Sequence, residues 1–146
     1  MGGSINVLTG STPEGFDPSV AFDRSGTSYF CYVLASAPVR LYVDWTENNG
    51  LTWHGPVLVN PSPDPPVDKP HLIIDRNSSS PYANRMYVAY SSGPDNSEVG
   101  FKRSLDSGST WQDFQVLSSG AFVSGANLAV DRNGTIYAVW AFGNSV

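Results

Sequence analysis

Cysteine is almost missing from this chain: Cys31 is the single one in 146 residues. An internal disulfide framework is therefore excluded. Charge is sparse as well, at 14% of residues, and it leans acidic, with 13 Asp and Glu against 8 Lys and Arg for a formal net charge of −5. No cluster of Lys and Arg occurs along the chain, so no nucleic acid partner is expected. No apolar run approaches the roughly 20 residues needed for a membrane span, and no basic-then-apolar leader opens the sequence. A soluble chain is the expectation. The opening MGGS reads as an expression scar or as a start inside a longer gene, and the myristoylation pattern fails because position 6 is Asn. Also missing is any stretch that keeps a 3.6-residue apolar period for three turns, which removes an amphipathic-helix core.

What remains is 40% hydrophobic residues in short runs of Val, Tyr, Phe and Thr, punctuated by 14 Gly and 11 Pro. That is an all-β pattern long enough to bury a core. The runs repeat. SVAFDRSGTSYFCYV (19–33), HLIIDRNSSSPYANRMYVAY (71–90) and NLAVDRNGTIYAVWA (127–141) each give an apolar strand ending in Asp-Arg, a turn, and a strand beginning at Tyr. Asp23 to Tyr29 and Asp131 to Tyr137 are both six residues, whereas Asp75 to Tyr87 is twelve, so the middle turn carries a six-residue insertion.

In this register each full repeat gives four strands, A to D. The first has A at 19–23, B at 28–35, C at 39–46 and D at 52–59; the second has them at 71–75, 85–92, 97–104 and 110–117. The third stops after A (127–131) and B (135–142), and INVL (5–8) is similar to the D segments PVLV and FQVL. The expected organisation is thus a D strand at 5–8, a unit at 19–59, a unit at 71–117 and an incomplete unit at 127–146. Repeats of about 50 residues built from four antiparallel strands are the signature of a β-propeller. About two and a half blades are expected, a partial propeller.

Between strands C and D the chain writes one turn twice: TENNGLTW (46–53) and SLDSGSTW (104–111). Both give a hydroxyl residue, then Asp or Asn, then Gly, then Trp. These turns resemble the Asp-box of the bacterial neuraminidase repeat family, the sialidase-like propellers, and the similarity extends over nearly the whole chain. The turn has a physical account that needs no substrate. Asn48 or Asp106 can accept backbone N–H groups, Gly50 or Gly108 supplies a positive φ, and Trp53 or Trp111 packs at the start of the outer strand. Thr46 and Ser104 complete the motif. All eight residues are expected to be structural.

The alignment assigns two further features. Cys31 aligns with Ala89 and Val139, a small apolar slot on strand B, and is expected to be inert core. Arg24, Arg76 and Arg132 invite comparison with the arginine triad that sialidases use for a carboxylate. Antiparallel connectivity puts them on the Asp-box face, whereas the resemblance implies a catalytic centre on the other face. A structural pairing with a neighbouring carboxylate or carbonyl is expected for them.

Ligand-face candidates therefore come from the D–A loops, the B–C loops and the first residues of strand A: Asp17, Asp64, Asp68, Lys69, His71 and Asp95, with Glu14 beside them. The set is acidic, which departs from a site for an anionic sugar. The Phe-Arg-Ile-Pro motif is absent, and the family's nucleophilic Tyr with its Glu partner has no assignable position. The catalytic residues are unknown. Asp17 and Asp68 occupy similar places and are readable as glycosidase acids or bases or as caps of the strand start. No HxH or HExxH spacing occurs, so no metal site and no cofactor are expected, apart from the open possibility of a Ca²⁺ among Asp64, Asp68 and carbonyls. NSS (77–79) and NGT (133–135) match the glycosylation acceptor pattern.

Two functions stay open: a non-catalytic module presenting a glycan- or protein-binding face, or part of a sialidase-like glycoside hydrolase whose catalytic residues lie mostly outside this chain. Of these the first is favoured. The resemblance implies a secreted or cell-surface bacterial setting. Ragged ends imply a homo-oligomer or a fragment of a longer propeller, and two chains would make a six-bladed ring of 22 strands instead of 24.

Overall fold

The computed structural model describes residues 15–35 and 37–143. The strand expected at 5–8, with Glu14, lies outside the described residues. Ten strands run in chain order: β1 (Gly15–Phe22), β2 (Ser28–Leu34), β3 (Arg40–Thr46), β4 (His54–Leu58), β5 (Val67–Ile74), β6 (Met86–Ser92), β7 (Glu98–Ser104), β8 (Gln115–Ser119), β9 (Phe122–Val130) and β10 (Ile136–Gly143). Among the described residues the single helical element is a three-residue 3₁₀ turn, Pro94–Asn96. All pairings are antiparallel between sequence neighbours, giving two four-stranded meanders, β1-β2-β3-β4 and β5-β6-β7-β8, and a two-stranded sheet of β9 and β10. The fold is all-β and propeller-like, and the described residues form no closed ring.

The registers follow the repeat. Ser19 faces Cys31, His71 faces Ala89, and Asn127 faces Val139. Two apolar layers hold the three sheets together. Tyr29, Cys31, Val33, Leu41 and Val43 of the first sheet pack on Leu72, Met86, Val88 and Tyr90 of the second. The far side of the second sheet uses Tyr87, Ala89 and Val99 against Val123 and Leu128 of the third. Cys31 is fully buried, and burial pushes its thiol far above the usual range, so it sits as a protonated apolar side chain.

The inner strands begin earlier than the sequence suggests, because Pro18 and Pro70 lie within them. A β-bulge accommodates each proline, whose missing N–H would break a regular ladder. The outer strands begin later: the one expected at 110–117 spans Gln115–Ser119, and Trp111 precedes it. Trp53 likewise precedes β4. Both Trp side chains keep an unpartnered, buried ring N–H, consistent with a packing task.

The two Gly turns share one bonding scheme. Thr46 Oγ1 accepts the Gly50 N–H at 2.9 Å, and Asn48 Oδ1 accepts the Thr52 N–H at 2.9 Å. In the second turn Ser104 Oγ accepts the Gly108 N–H and Asp106 Oδ1 accepts the Thr110 N–H, both at 2.8 Å. Gly50 and Gly108 have φ of 83° and 87°, the left-handed region open to glycine. The hydroxyl residue thus holds the glycine while the Asx residue holds the residue two further on. The Thr110 hydroxyl and N–H keep the Asp106 carboxyl below its ordinary range.

Candidate functional site

Meander connectivity sends the β1–β2 and β3–β4 turns to one end of the sheets and the starts of β1, β5 and β9 to the other. Arg24, Arg76 and Arg132 are on the first end, exposed, and among the described residues none of them forms an ion pair. The structural pairing expected of them is not seen.

At the other end, each inner strand bends at one residue in the left-handed region, six positions before the repeated Asp: Asp17 (φ 50°), Lys69 (φ 49°) and Gly125 (φ 64°). The structural partner of Asp17 in the repeat is therefore Lys69, and not Asp68 as chemistry alone suggested. The bend brings the chains of neighbouring sheets together. Lys69 N–H donates to Asp17 Oδ2 at 3.2 Å. Asp68 Oδ2 accepts from the Lys69 ammonium and from the Asn96 amide, both at 3.0 Å. The Asp17 and Asp68 carboxyls are also close enough to shift each other's ionisation. Desolvation, followed by the nearness of Asp68, raises the Asp17 carboxyl above its ordinary range. Asp68 moves the other way: burial alone would raise it, but Asp17, Lys69 and Asn96 together outweigh burial. Of the two, Asp17 is therefore the first to take up a proton as pH falls.

His71 follows on β5. Its Nδ1 accepts the Leu128 N–H of the next sheet at 2.9 Å, so the neutral ring carries its proton on Nε2. Ser19 holds the same place one sheet earlier, and its Oγ accepts the Leu72 N–H at 3.0 Å. Burial holds the His71 imidazole below its usual range. A shallow depression of about 320 Å³ opens over these groups, lined by Asp17, Lys69, His71, Gly125 and Asn127, with prolines at its edge.

Two candidates are elsewhere. Asp64 is drawn into the loop between β4 and β5, where its Oδ2 lies 2.5 Å from the Lys102 ammonium, whose side chain is 3% exposed. Arg40 fastens the same loop by donating to the carbonyls of Asn60 and Asp64, both at 2.9 Å. Asp95 is exposed beside Glu98 and Phe122, and among the described residues its side chain makes no bond to the cluster. Asn96, Asn127 and Gly125 were not foreseen. Their signal was positional: Gly125 and Asn127 stand where Asp17 and Ser19 stand in the first repeat. Asp64 and Asp68 each already face a lysine, and among the described residues no three His, Cys, Asp or Glu side chains converge as metal ligands. No helix among the described residues is long and apolar enough to cross a membrane.

A pH dependence follows from His71. Below pH about 6.5 the unfolded chain's imidazole takes up a proton, while the folded one resists because Nδ1 is committed to an N–H donor. Stability is therefore expected to fall as pH drops from 7.5 to 5.5, a window above the carboxylate range. His71→Asn should flatten that slope, as read from urea melts at both pH values. An unchanged slope would remove His71 as its source.

No protein-family model matches the chain, and no curated protein matches it. Among solved structures it is similar to the Hadza microbial sialidase Hz136, with a TM-score of 0.66 and 17% identity over 88% of this chain and 32% of that one. It is also similar to a protein of unknown function from Dyadobacter fermentans DSM 18053, with a TM-score of 0.64 and 11% identity over 83% of this chain and 32% of that one. The chain spans about a third of the length of each. These likenesses establish a sialidase-like fold.

Proposed function

We propose that the chain is a sialidase-like propeller module whose inner-strand face binds the hydroxyl groups of a neutral glycan without cleaving it. One observation carries the reading: hydrogen bonds join Asp17, Lys69, Asp68 and Asn96 at the strand starts, beside His71, with no arginine at the start of β1, β5 or β9. Hydrolysis of the sialidase kind would call for a nucleophilic Tyr with a Glu partner, and neither has an assignable position in this chain. The two carboxyl groups, beside the Asn96 amide and the His71 Nε2–H, do offer acceptors and donors to sugar hydroxyls. An anionic sugar is disfavoured, because the Lys69 ammonium is already held by Asp68 and the added charge would meet two carboxylates.

The alternative, part of a sialidase-like glycoside hydrolase, draws support from the Hz136 likeness and the raised Asp17 carboxyl. The 146-residue chain is expected to leave fluorogenic sialosides intact and to be retained by neutral glycans on an array. Lys69→Ala and Asp17→Asn should each weaken retention at least fivefold. Turnover of the sialoside by the purified chain, lost in Asp17→Asn, would overturn the module in favour of the hydrolase.

A further inference from the structure

The interface between the first two sheets is a template for a surface that the described chain leaves open. Tyr29 projects from β2 into a buried cluster that includes Leu72, Ile74, Val88 and Trp111 of the second sheet. Its hydroxyl meets Ser107, and its ring edge lies 3.8 Å from where a Cβ on Gly108 would stand. The same six repeat positions in the first sheet are Val20, Phe22, Phe30, Trp53, Asn49 and Gly50. They line a cavity of about 380 Å³ on the outward flank of that sheet. It corresponds to the Tyr29 seat, one repeat earlier, and among the described residues no tyrosine of another sheet enters it.

The missing knob is at the other end of the chain. Tyr29 and Tyr87 are each 4% exposed, but Tyr137 at the equivalent position is 57% exposed. Cys31 and Ala89 are both fully buried, and Val139 is 67% exposed. On the seat side, Leu72 and Leu128 are 2% and 6% exposed, against 56% for Val20. Identical positions are sealed inside and bare at both flanks. A polar contact completes the pattern. Ser19 and His71 each accept the N–H of the next sheet's Leu72 or Leu128; the third acceptor position is Asn127, and the third donor position is Val20.

We propose that the outward flank of the first sheet is a docking site for a second copy of this chain, joined head to tail, with Tyr137 of one copy seated against Gly50 of the other. In that arrangement Asn127 Oδ1 accepts the Val20 N–H of the partner copy, as its two counterparts do within one chain. A second copy is favoured over an unrelated partner because the chain itself carries both halves of the joint, built to a pattern it already uses internally. Val20, Phe22, Asn49 and Gly50 on one flank and Asn127, Tyr137 and Val139 on the other carry no charge, so the centre of the joint sets none of the −5 net charge against itself. Such a contact is heterologous, and with three sheets per copy two contacts close a ring of six.

Light scattering after size exclusion of the 146-residue chain at micromolar concentration is expected to give twice the 15.7 kDa chain mass. Val20→Asp and Val139→Asp should each give monomers. Mixing the two variants should restore association, because the intact flank of one meets the intact flank of the other; neither variant should associate alone. If either failed to fold, Phe22→Ser and Tyr137→Ala, also at exposed positions, carry the same test. A monomeric parent chain would overturn the proposal, as would a dimer broken by Val20→Asp yet indifferent to Val139→Asp, or variants that stay monomeric when mixed.

Discussion

Asp64→Ala is expected to lower the unfolding free energy by about 3–5 kcal/mol, among the largest effects of any single substitution. The carboxylate lies 2.5 Å from the Lys102 ammonium, whose side chain is 3% exposed on β7. Removing it strands a buried cation, and the desolvation already spent on that cation has no counterweight. The backbone of the loop should survive, since Arg40 holds it through the carbonyls of Asn60 and Asp64 and not through the side chain. The double variant Asp64→Ala with Lys102→Met is expected within about 2 kcal/mol of the parent, because both charges leave together. A urea-melt double-mutant cycle measures the coupling. A cost below about 1 kcal/mol for Asp64→Ala would mean that water reaches Lys102.

Tyr29→Ala is expected to cost about 3–5 kcal/mol, as large aromatic truncations in a packed layer do. Its ring fills the layer between the first two sheets and touches the second Gly turn. Tyr29→Phe should cost no more than about 1.5 kcal/mol, because the ring stays and only the hydroxyl leaves. The same truncation at Tyr137, equivalent by repeat but exposed, should change the stability of the dilute, unassociated chain by no more than about 0.5 kcal/mol. Equal losses at the two positions would mean that Tyr137 is covered within its own chain.

Some of this was legible in the sequence because the signals are local or periodic. The Gly turns were visible because the Asx side chain and the glycine act within five residues of each other. The all-β sheets were visible because the Asp-Arg turn recurs and the runs are short. The inner-strand starts were obscured by Pro18 and Pro70, which argue against strand unless a bulge is known to sit there. Lys69 was recognised as a candidate, but its equivalence to Asp17 was hidden by chemistry: the eye pairs Asp with Asp, whereas the backbone pairs residues six before the repeated Asp. The ion pair of Asp64 with Lys102 spans 38 positions and has no sequence signature, so a buried counter-ion was read as a ligand-face acid. Asp95 drew notice by its charge, while the neighbouring Asn96 makes the bond to Asp68.

The central claim is that ligand binding takes place at the starts of β1, β5 and β9, and amide chemical-shift mapping tests it most directly. Neutral oligosaccharide added to the ¹⁵N-labelled chain should move the amides of Asp17, Lys69, His71, Asn96 and Asn127 together, leaving Arg24, Arg76 and Arg132 in place. Shifts confined to those three arginine turns, or to a sialoside at that end, would contradict the account.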